Sequence, residues 1–264
     1  MIEIRVTGQT REERARSLAQ QLEGLYSGEP TPSSWRGGRS EGLRRLATFD
    51  VRRYADGRNY TQGSTVSQLS PYIRHGALTL AEVRDVVVRQ HPRSGVEKFV
   101  NELAWRAFWR SVYAAKGTAI GRNIELPKYT RPVRWSATLP DDVAQAQTGL
   151  ACIDDGLHEL FTLGYVHNHW RMWFAAYLLH WRRVDWQVGA RLFEQHLLDG
   201  DPASNRLSWQ WVAGTFSHKP YYFNRANVER YSRGTHCVRC SAAAACPFEG
   251  SYEVIAQRLG LPQA

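Results

Sequence analysis

The amino-acid sequence predicts an all-α protein on three observations. Apolar residues recur at helical spacing in most segments between residues 11 and 198, stretches that alternate in the manner of strands are scarce, and neither a βαβ alternation nor an internal repeat appears. With 264 residues, 43% of them hydrophobic and 22% charged, the chain has the composition of a globular protein able to bury one large core or two modest ones.

Taken from the N-terminus, Met1–Val6 alternates apolar and polar residues and reads as a short strand, although no partner strand is evident. Thr10 followed by Glu13 makes a capping box, and Ala15, Leu18, Ala19, Leu22 and Leu25 continue it as a helix. Gly28–Gly38 is a loop by its Gly, Pro and Ser content. GLRRLATFDVRRYADGRN reads as one basic helix with Leu43, Leu46, Ala47, Val51 and Tyr54 on a face. Gly63–Gly76 is polar and turn-like, and TLAEVRDVVVRQH resumes helix. VEKFVNELAWRAFWRSVYAA is amphipathic, with Phe99, Leu103, Phe108 and Val112 inward; Glu102 and Arg106 stand one helical turn apart, ordinarily a surface pair. A Pro-containing connection spans Lys116–Asp142, and three helical stretches follow: VAQAQTGLACIDDGLHELFTLG, HNHWRMWFAAYLLHWRRV and WQVGARLFEQHLL. Beyond Pro220 the pattern weakens until SYEVIAQRL gives a last short helix. The expected organisation is an appendage over 1–40, a helical domain over 41–235, and a cysteine-bearing segment over 236–264 packed on that domain.

The net charge of +9 points to a polyanionic partner, nucleic acid first. No apolar run is long enough to span a bilayer, and no apolar core follows the N-terminal residues as a signal peptide requires, so a cytoplasmic protein is expected. There Cys152, Cys237, Cys240 and Cys246 are metal ligands or free thiols rather than disulfides. Ten tryptophans exceed what a core of this size needs; most pack between helices, and a minority is left to stack on a flat ligand or carry electrons.

The densest chemistry lies in LLDGDPASNRLSWQWVAGT, residues 197–215. Asp199 and Asp201 around Gly200 suit a turn or a helix cap, and Trp209 and Trp211 suit a core or an interface. Together with three upstream stretches, this one resembles the helical FAD-binding domain of class I photolyases and cryptochromes. VSQLSPYIRHGALT is similar to TSRLSPYLRFGxLS of that family, NELAWRAFWR to NELxWREFxR, GYVHNHWRMWFAAYLL to GWMHNRxRMxxASFL, and residues 197–215 to LxDGDxAxNNGGWQWxAGT. The resemblance runs from about Arg52 to Phe223, with the four stretches in order.

The resemblance implies bound FAD. Val66, Ser67, Gln68, Leu69 and Ser70 fall on the family's phosphate-binding segment, where small hydroxyls and free N–H groups near a helix start suit a pyrophosphate. Val66 stands for the family's Thr and Gln68 for its Arg, removing one hydroxyl and one charge. Tyr54, Phe99, Glu102, Arg106, Tyr165, Asn168, Arg171, Asp199, Asp201, Ser204 and Asn205 fall on flavin positions, with Arg171 and Asp199 paired beside the ring system. Asn205, ordinarily a capping residue, falls where photolyases set an Asn against flavin N5, and its amide favours the reduced flavin. Trp209, Trp186 and Trp135 match the chain that carries electrons from the surface to the flavin. Arg58, Trp105, Asn168, Met172 and Trp211 match the pocket for a flipped pyrimidine dimer: aromatic walls hold the bases, and Glu102 hydrogen-bonds their carbonyl region.

The implied activity is that of a deoxyribodipyrimidine photolyase, light-dependent repair of DNA by electron transfer from FAD, with a cryptochrome-like blue-light receptor as the alternative. Too little chain precedes Arg52 for the family's α/β antenna domain, so no antenna chromophore is expected and FAD itself would absorb the light. Without that domain, single-stranded DNA is the expected preference, because no unstacking is then needed. Finally, Cys237, Cys240 and Cys246 form C-x2-C-x5-C-P, and Cys152 lies sixteen residues before Asn168, an offset shared with a ligand Cys of the iron–sulfur bacterial photolyases. Four thiolates suit a [4Fe–4S] cluster, and a zinc ion fits the count equally well.

Overall fold

The computed structural model describes residues 4–262 apart from 27, 30 and 31. The chain divides into two compact units, 1–36 and 37–264. In the first, α1 (Arg11–Gln21) opens with the expected capping box: Thr10 Oγ1 accepts from the Glu13 amide and the Glu13 carboxylate accepts from the Thr10 amide, both at 3.1 Å. Residues 4–6 form no strand; residues 1–3 of that reading lie outside the described residues. The Arg5 and Thr7 amides go instead to Gln21 Oε1 and Ser17 Oγ on α1, at 2.8 and 3.1 Å. The loop expected over 28–38 forms no helix where described, and its residues 30 and 31 lie outside the described residues.

The second unit is helical. Its elements are α2 (Arg39–Thr48), α3 (Tyr54–Gly57), α4 (Ser70–Arg74), α5 (Leu80–Gln90), α6 (Arg93–Lys116), α7 (Asp141–Ala144), α8 (Ala151–Leu163), α9 (Asn168–Ala176), α10 (Trp186–His196), α11 (Pro202–Ala213), α12 (Arg225–Ser232) and α13 (Tyr252–Leu259), with α9 running into a π turn at Tyr177–Trp181. No strand is present among the described residues.

Five expectations need correction. The helical stretch expected from Val143 to Gly164 breaks after α7 at residues 145–150, where Ala146 takes a left-handed φ of 53°, and only then resumes as α8. The basic helix expected over 42–59 breaks at Phe49–Asp50: Phe49 is extended, and the Asp50 carboxylate takes the Arg52 amide to start a new turn. The turn-like stretch before Gly76 contains α4, whose first turn takes Pro71 without losing a hydrogen bond. In α6, Phe99 is buried but Phe108 is 46% exposed, covered only by other rings at Trp105, Trp109 and Phe216. Past Pro220 the weak pattern concealed α12, whose signal was polar: Asn224 caps it by accepting from the Asn227 amide at 3.0 Å.

The main core lies where α8, α9, α10 and α11 meet. Ile153, Leu157, Leu160, Trp173, Phe174, Leu178, Phe193 and Trp209 share it, and Phe248 of the C-terminal segment joins them. Two glycines let large rings in. A Cβ on Gly156 of α8 would stand 1.9 Å from the Trp170 indole, and one on Gly189 of α10 would stand 2.1 Å from Trp209.

Candidate active site

The phosphate-like segment folds as a tight bend. Gln68 takes a left-handed φ of 54°, Ser67 Oγ accepts from the Leu69 amide at 3.4 Å, and buried Leu69 anchors the turn into α4. Polar side chains lie beside both positions where this chain departs from the family pattern. Gln68 Oε1 accepts from Arg45 Nη1 of α2 at 2.7 Å, which brings a guanidinium to the segment. Beside Val66, the Ser64 hydroxyl accepts from the Val66 amide at 3.2 Å and lies 3.1 Å from His167 Nε2. Sequence reasoning missed both residues; the basic face of α2 was the signal for the first.

Across from this bend, Arg171 of α9 forks onto Asp199, with Nη1–Oδ1 at 3.0 Å and Nη2–Oδ2 at 3.1 Å. Burial alone would raise the Asp199 pKa; the Arg171 charge and the Ser70 hydroxyl outweigh it and hold the carboxyl below its ordinary range. Tyr165 lies under the same guanidinium, 5.4 Å from its ring centre, and burial pushes its phenol up to about 12. Asp201 opens α11, takes the Ser204 hydroxyl at 2.8 Å, and faces Arg106 of α6 at 3.5 Å. Burial lowers the Arg106 pKa, with Asp201 and Asp199 opposing that shift. Asn205 spends its Nδ2–H on the Ala190 carbonyl at 2.8 Å, which orients the amide and leaves the oxygen as its acceptor. Tyr54 and Phe99 meet edge to face at 5.1 Å.

The pair between Glu102 and Arg106 is not made. Arg106 turns to Asp201, and Glu102 sits between Lys98 at 2.9 Å and Arg58 at 3.7 Å. Trp105 on α6 and Trp211 on α11 rise from helices that pack together, and both keep an open face, 51% and 37% exposed. Trp211 stacks on Tyr221 at 5.8 Å. Asn168 is exposed at the start of α9, with Met172 half-buried one turn on.

The three chain tryptophans string along α10. Trp209 covers Gly189, which shares a face of α10 with Trp186 one turn earlier. Trp186 donates to Asn123 at 2.7 Å. Ser136 pairs with the entry to α10, donating to Arg183 O at 2.7 Å and accepting from the Asp185 amide at 2.9 Å, which carries Trp135 to the same end.

All four cysteines line one cavity, walled by Leu150, Val228, Ala243 and Phe248 with Arg225 and His236. Burial, then the three other cysteines, raises the Cys152 pKa; burial also raises Cys237 and Cys246. Asp155, one turn after Cys152 on α8, clamps the loop that carries the other three: it takes His236 Nδ1 at 2.6 Å and also pairs with Arg239. Among the described residues no three His, Cys, Asp or Glu side chains gather closely enough to share one metal ion. A second cavity, of about 300 Å³, runs from Val66, Gln68 and Tyr165 to His236 and Arg239.

Scaffold and site together define a flavin-binding helical domain. Residues 99–236 match the family described as the FAD binding domain of DNA photolyase, and the chain belongs to that family. Among curated relatives, the deoxyribodipyrimidine photo-lyase of Alkalihalophilus pseudofirmus is 32% identical over 202 residues, covering 74% of this chain and 42% of that one. Its counterpart from Streptomyces griseus is 34% identical over 192 residues, covering 70% and 41%. The chain thus spans less than half the length of these relatives. A bacterial class III photolyase from Agrobacterium tumefaciens superposes with a TM-score of 0.69 at 22% identity, over 96% of this chain and 54% of that one, a likeness of fold. An archaeal photolyase from Sulfolobus tokodaii, solved with two FAD molecules, gives 0.64 at 29% identity, over 81% and 48%. No helix among the described residues is long and apolar enough to cross a membrane.

Proposed function

We propose that this chain repairs DNA by light-driven electron transfer from FAD, splitting cyclobutane pyrimidine dimers, with single-stranded DNA as the favoured form. The observation that supports this best is the layout of α11. Its entry turn and first turn carry Asp199, Asp201 and Asn205 for the flavin, and its last turn carries Trp211, open to solvent beside α6 and Trp105. Bound FAD would supply the excited-state electron. The chain's own residues would do the rest: Arg171, Asp199 and the Arg45–Gln68 pair would hold the cofactor, and the Asn205 oxygen would be free to accept from a protonated flavin nitrogen. Trp105 and Trp211 would wall the flipped bases, with Met172 in the same pocket, and Glu102 with Arg58 would meet their polar edges.

We also infer a [4Fe–4S] cluster on the four cysteines. The four thiols line one cavity together with His236, Arg225 and apolar side chains. Four thiolates there would suit a cubane, each binding a different iron. Iron and sulfide by analysis support this; zinc alone overturns it.

The deciding experiment illuminates purified protein with dimer-containing single- and double-stranded oligonucleotides while the flavin spectrum is recorded. Recovery of intact thymines supports repair, and photoreduction of the flavin without recovery selects a cryptochrome-like receptor instead. A duplex preference overturns the strand assignment. Glu102→Ala is expected to slow repair about 100-fold, the scale of one lost transition-state hydrogen bond, with flavin binding retained.

A further inference from the structure

Beside the tryptophan chain lies a phenol–imidazole pair, the phenol half-buried and the imidazole fully buried. Tyr129, in the connection between α6 and α7, has its hydroxyl 2.6 Å from Nδ1 of His180. Nε2 of His180 lies 2.9 Å from the Tyr221 carbonyl oxygen. A carbonyl oxygen only accepts, so Nε2 carries the ring proton and Nδ1 is a bare acceptor for the phenol. The backbone thereby fixes the tautomer. His180 is fully buried in the π turn, and burial drives its pKa down to about 3, so it waits as a neutral base.

Two further neighbours define what this pair can do. The Tyr129 and Trp135 rings meet edge to face with centroids 5.3 Å apart, van der Waals contact for an electron. The Arg183 guanidinium stands 5.7 Å over the Tyr129 ring and opposes positive charge there. Tyr129 can therefore give up an electron only together with its proton. The acceptor for that proton is already hydrogen-bonded to it.

We propose that Tyr129 and His180 form a proton-coupled electron donor that ends the Trp209–Trp186–Trp135 chain, an assignment that rests on the chain's role in flavin photoreduction. Excited, oxidised FAD, when bound, would take one electron from Trp209, and the hole would pass through Trp186 to Trp135. Tyr129 then gives one electron to Trp135, while its hydroxyl proton moves to His180 Nδ1. The products are neutral Trp135, a neutral tyrosyl radical and an imidazolium; the electron is on the flavin and the proton on His180. A phenol radical cation is a far stronger acid than this imidazolium, so the transfer runs downhill. A thiol-class reductant later returns the electron to Tyr129 as His180 returns the proton. The pair holds the hole away from the flavin and lets the reduced cofactor survive.

The test uses the full chain loaded with oxidised FAD, followed by transient absorption and electron paramagnetic resonance after a flash. The expected sequence is a tryptophan radical replaced by a tyrosyl radical, more slowly in D2O. In Tyr129→Phe the tryptophan radical should have no successor. In His180→Phe tyrosine oxidation should slow by about 100-fold or more, the share a positioned base contributes. Because His180 is buried and its replacement can unfold the core, ring-deuterated tyrosine in the unaltered protein gives an independent check: a narrowed radical spectrum supports the assignment. A tryptophan radical without a tyrosyl successor in unaltered protein overturns the proposal and leaves the chain's role standing. Absence of any tryptophan radical overturns both, and identical kinetics in Tyr129→Phe and the unaltered protein overturn the proposal alone.

Discussion

Replacing Gly156 by Ala tests whether α8 and α9 are locked by the indole between them. The added Cβ would lie 1.9 Å from Cε2 and 2.1 Å from Nε1 of Trp170, distances that no real contact sustains. Trp170 has little room to retreat: it is buried, stacks on Phe174 at 5.1 Å, and donates Nε1–H to the Cys152 carbonyl at 2.8 Å. Helix propensity alone favours the substitution by about 0.5–1 kcal/mol. Overpacking costs about 1–3 kcal/mol, and the indole N–H left without its partner costs about 1–3 kcal/mol more. The clash wins, for a net loss of about 1–5 kcal/mol. Urea unfolding of the flavin-loaded protein measures it. Gly95→Ala in the first turn of α6, where the nearest atom is Arg52 Cγ at 3.8 Å, serves as reference and should be neutral or slightly stabilising. If Gly156→Ala is as stable as that reference, the indole is not clamped and the packing argument fails.

Two other substitutions probe the flavin cradle. Arg45→Ala should weaken FAD binding about 10–100-fold, as loss of a charged hydrogen bond worth roughly 1.5–3 kcal/mol implies; flavin fluorescence titration reads it, and Gln68→Arg in the same background should restore affinity. Asp199 has a folded pKa below its unfolded value, so it stabilises the fold above the ordinary carboxylate range and loses that contribution as pH falls through the depressed value. Stability of Asp199→Asn should therefore fall less steeply toward acid than that of the unaltered protein, as urea midpoints across a pH series would show.

What the sequence revealed and what it hid follow a physical division. Local rules were legible: Thr10 with Glu13 predicted α1's cap, and periodic apolar residues predicted α8 to α10. The Arg171–Asp199 pair was legible only through family resemblance, since 28 residues separate the partners. At the segment where Gln68 stands for the family's Arg, no local rule anticipates that Arg45, 23 residues away and paired with Glu41, donates to the Gln68 side chain. Glu102 and Arg106 were matched by spacing, but Asp201 holds Arg106 across the helix interface, and i,i+4 geometry has no means of anticipating that competitor. Asp155 escaped notice because its partners, His236 and Arg239, lie more than 80 residues on. Residues that act through the backbone pattern could be read; residues that act on a distant chain segment could not.

The polar cradle also carries an energetic argument for its ligand. Among the described residues, Arg106 Nε and Asp199 Oδ1 are buried without a hydrogen bond and belong to positions expected at the flavin; Trp209 Nε1 on the electron chain shares that state, as do His169 Nδ1, Arg183 Nη1 and Ser232 Oγ outside those positions. Asp199 keeps its ion pair with Arg171, so charge is balanced there while hydrogen bonding is not. Unmet groups of this kind cost about 1–3 kcal/mol each, a burden that a fold tolerates where a ligand relieves it. The same residues must then make the flavin a stabiliser of the whole helical unit, not a passenger. At free FAD 100 times its Kd the stability gain is about 2.7 kcal/mol, and urea midpoints should rise with FAD concentration along that logarithm. A midpoint that does not respond to FAD would mean that the Arg106 and Asp199 atoms face one another's charges and not a cofactor, and the cradle would lose that physical support.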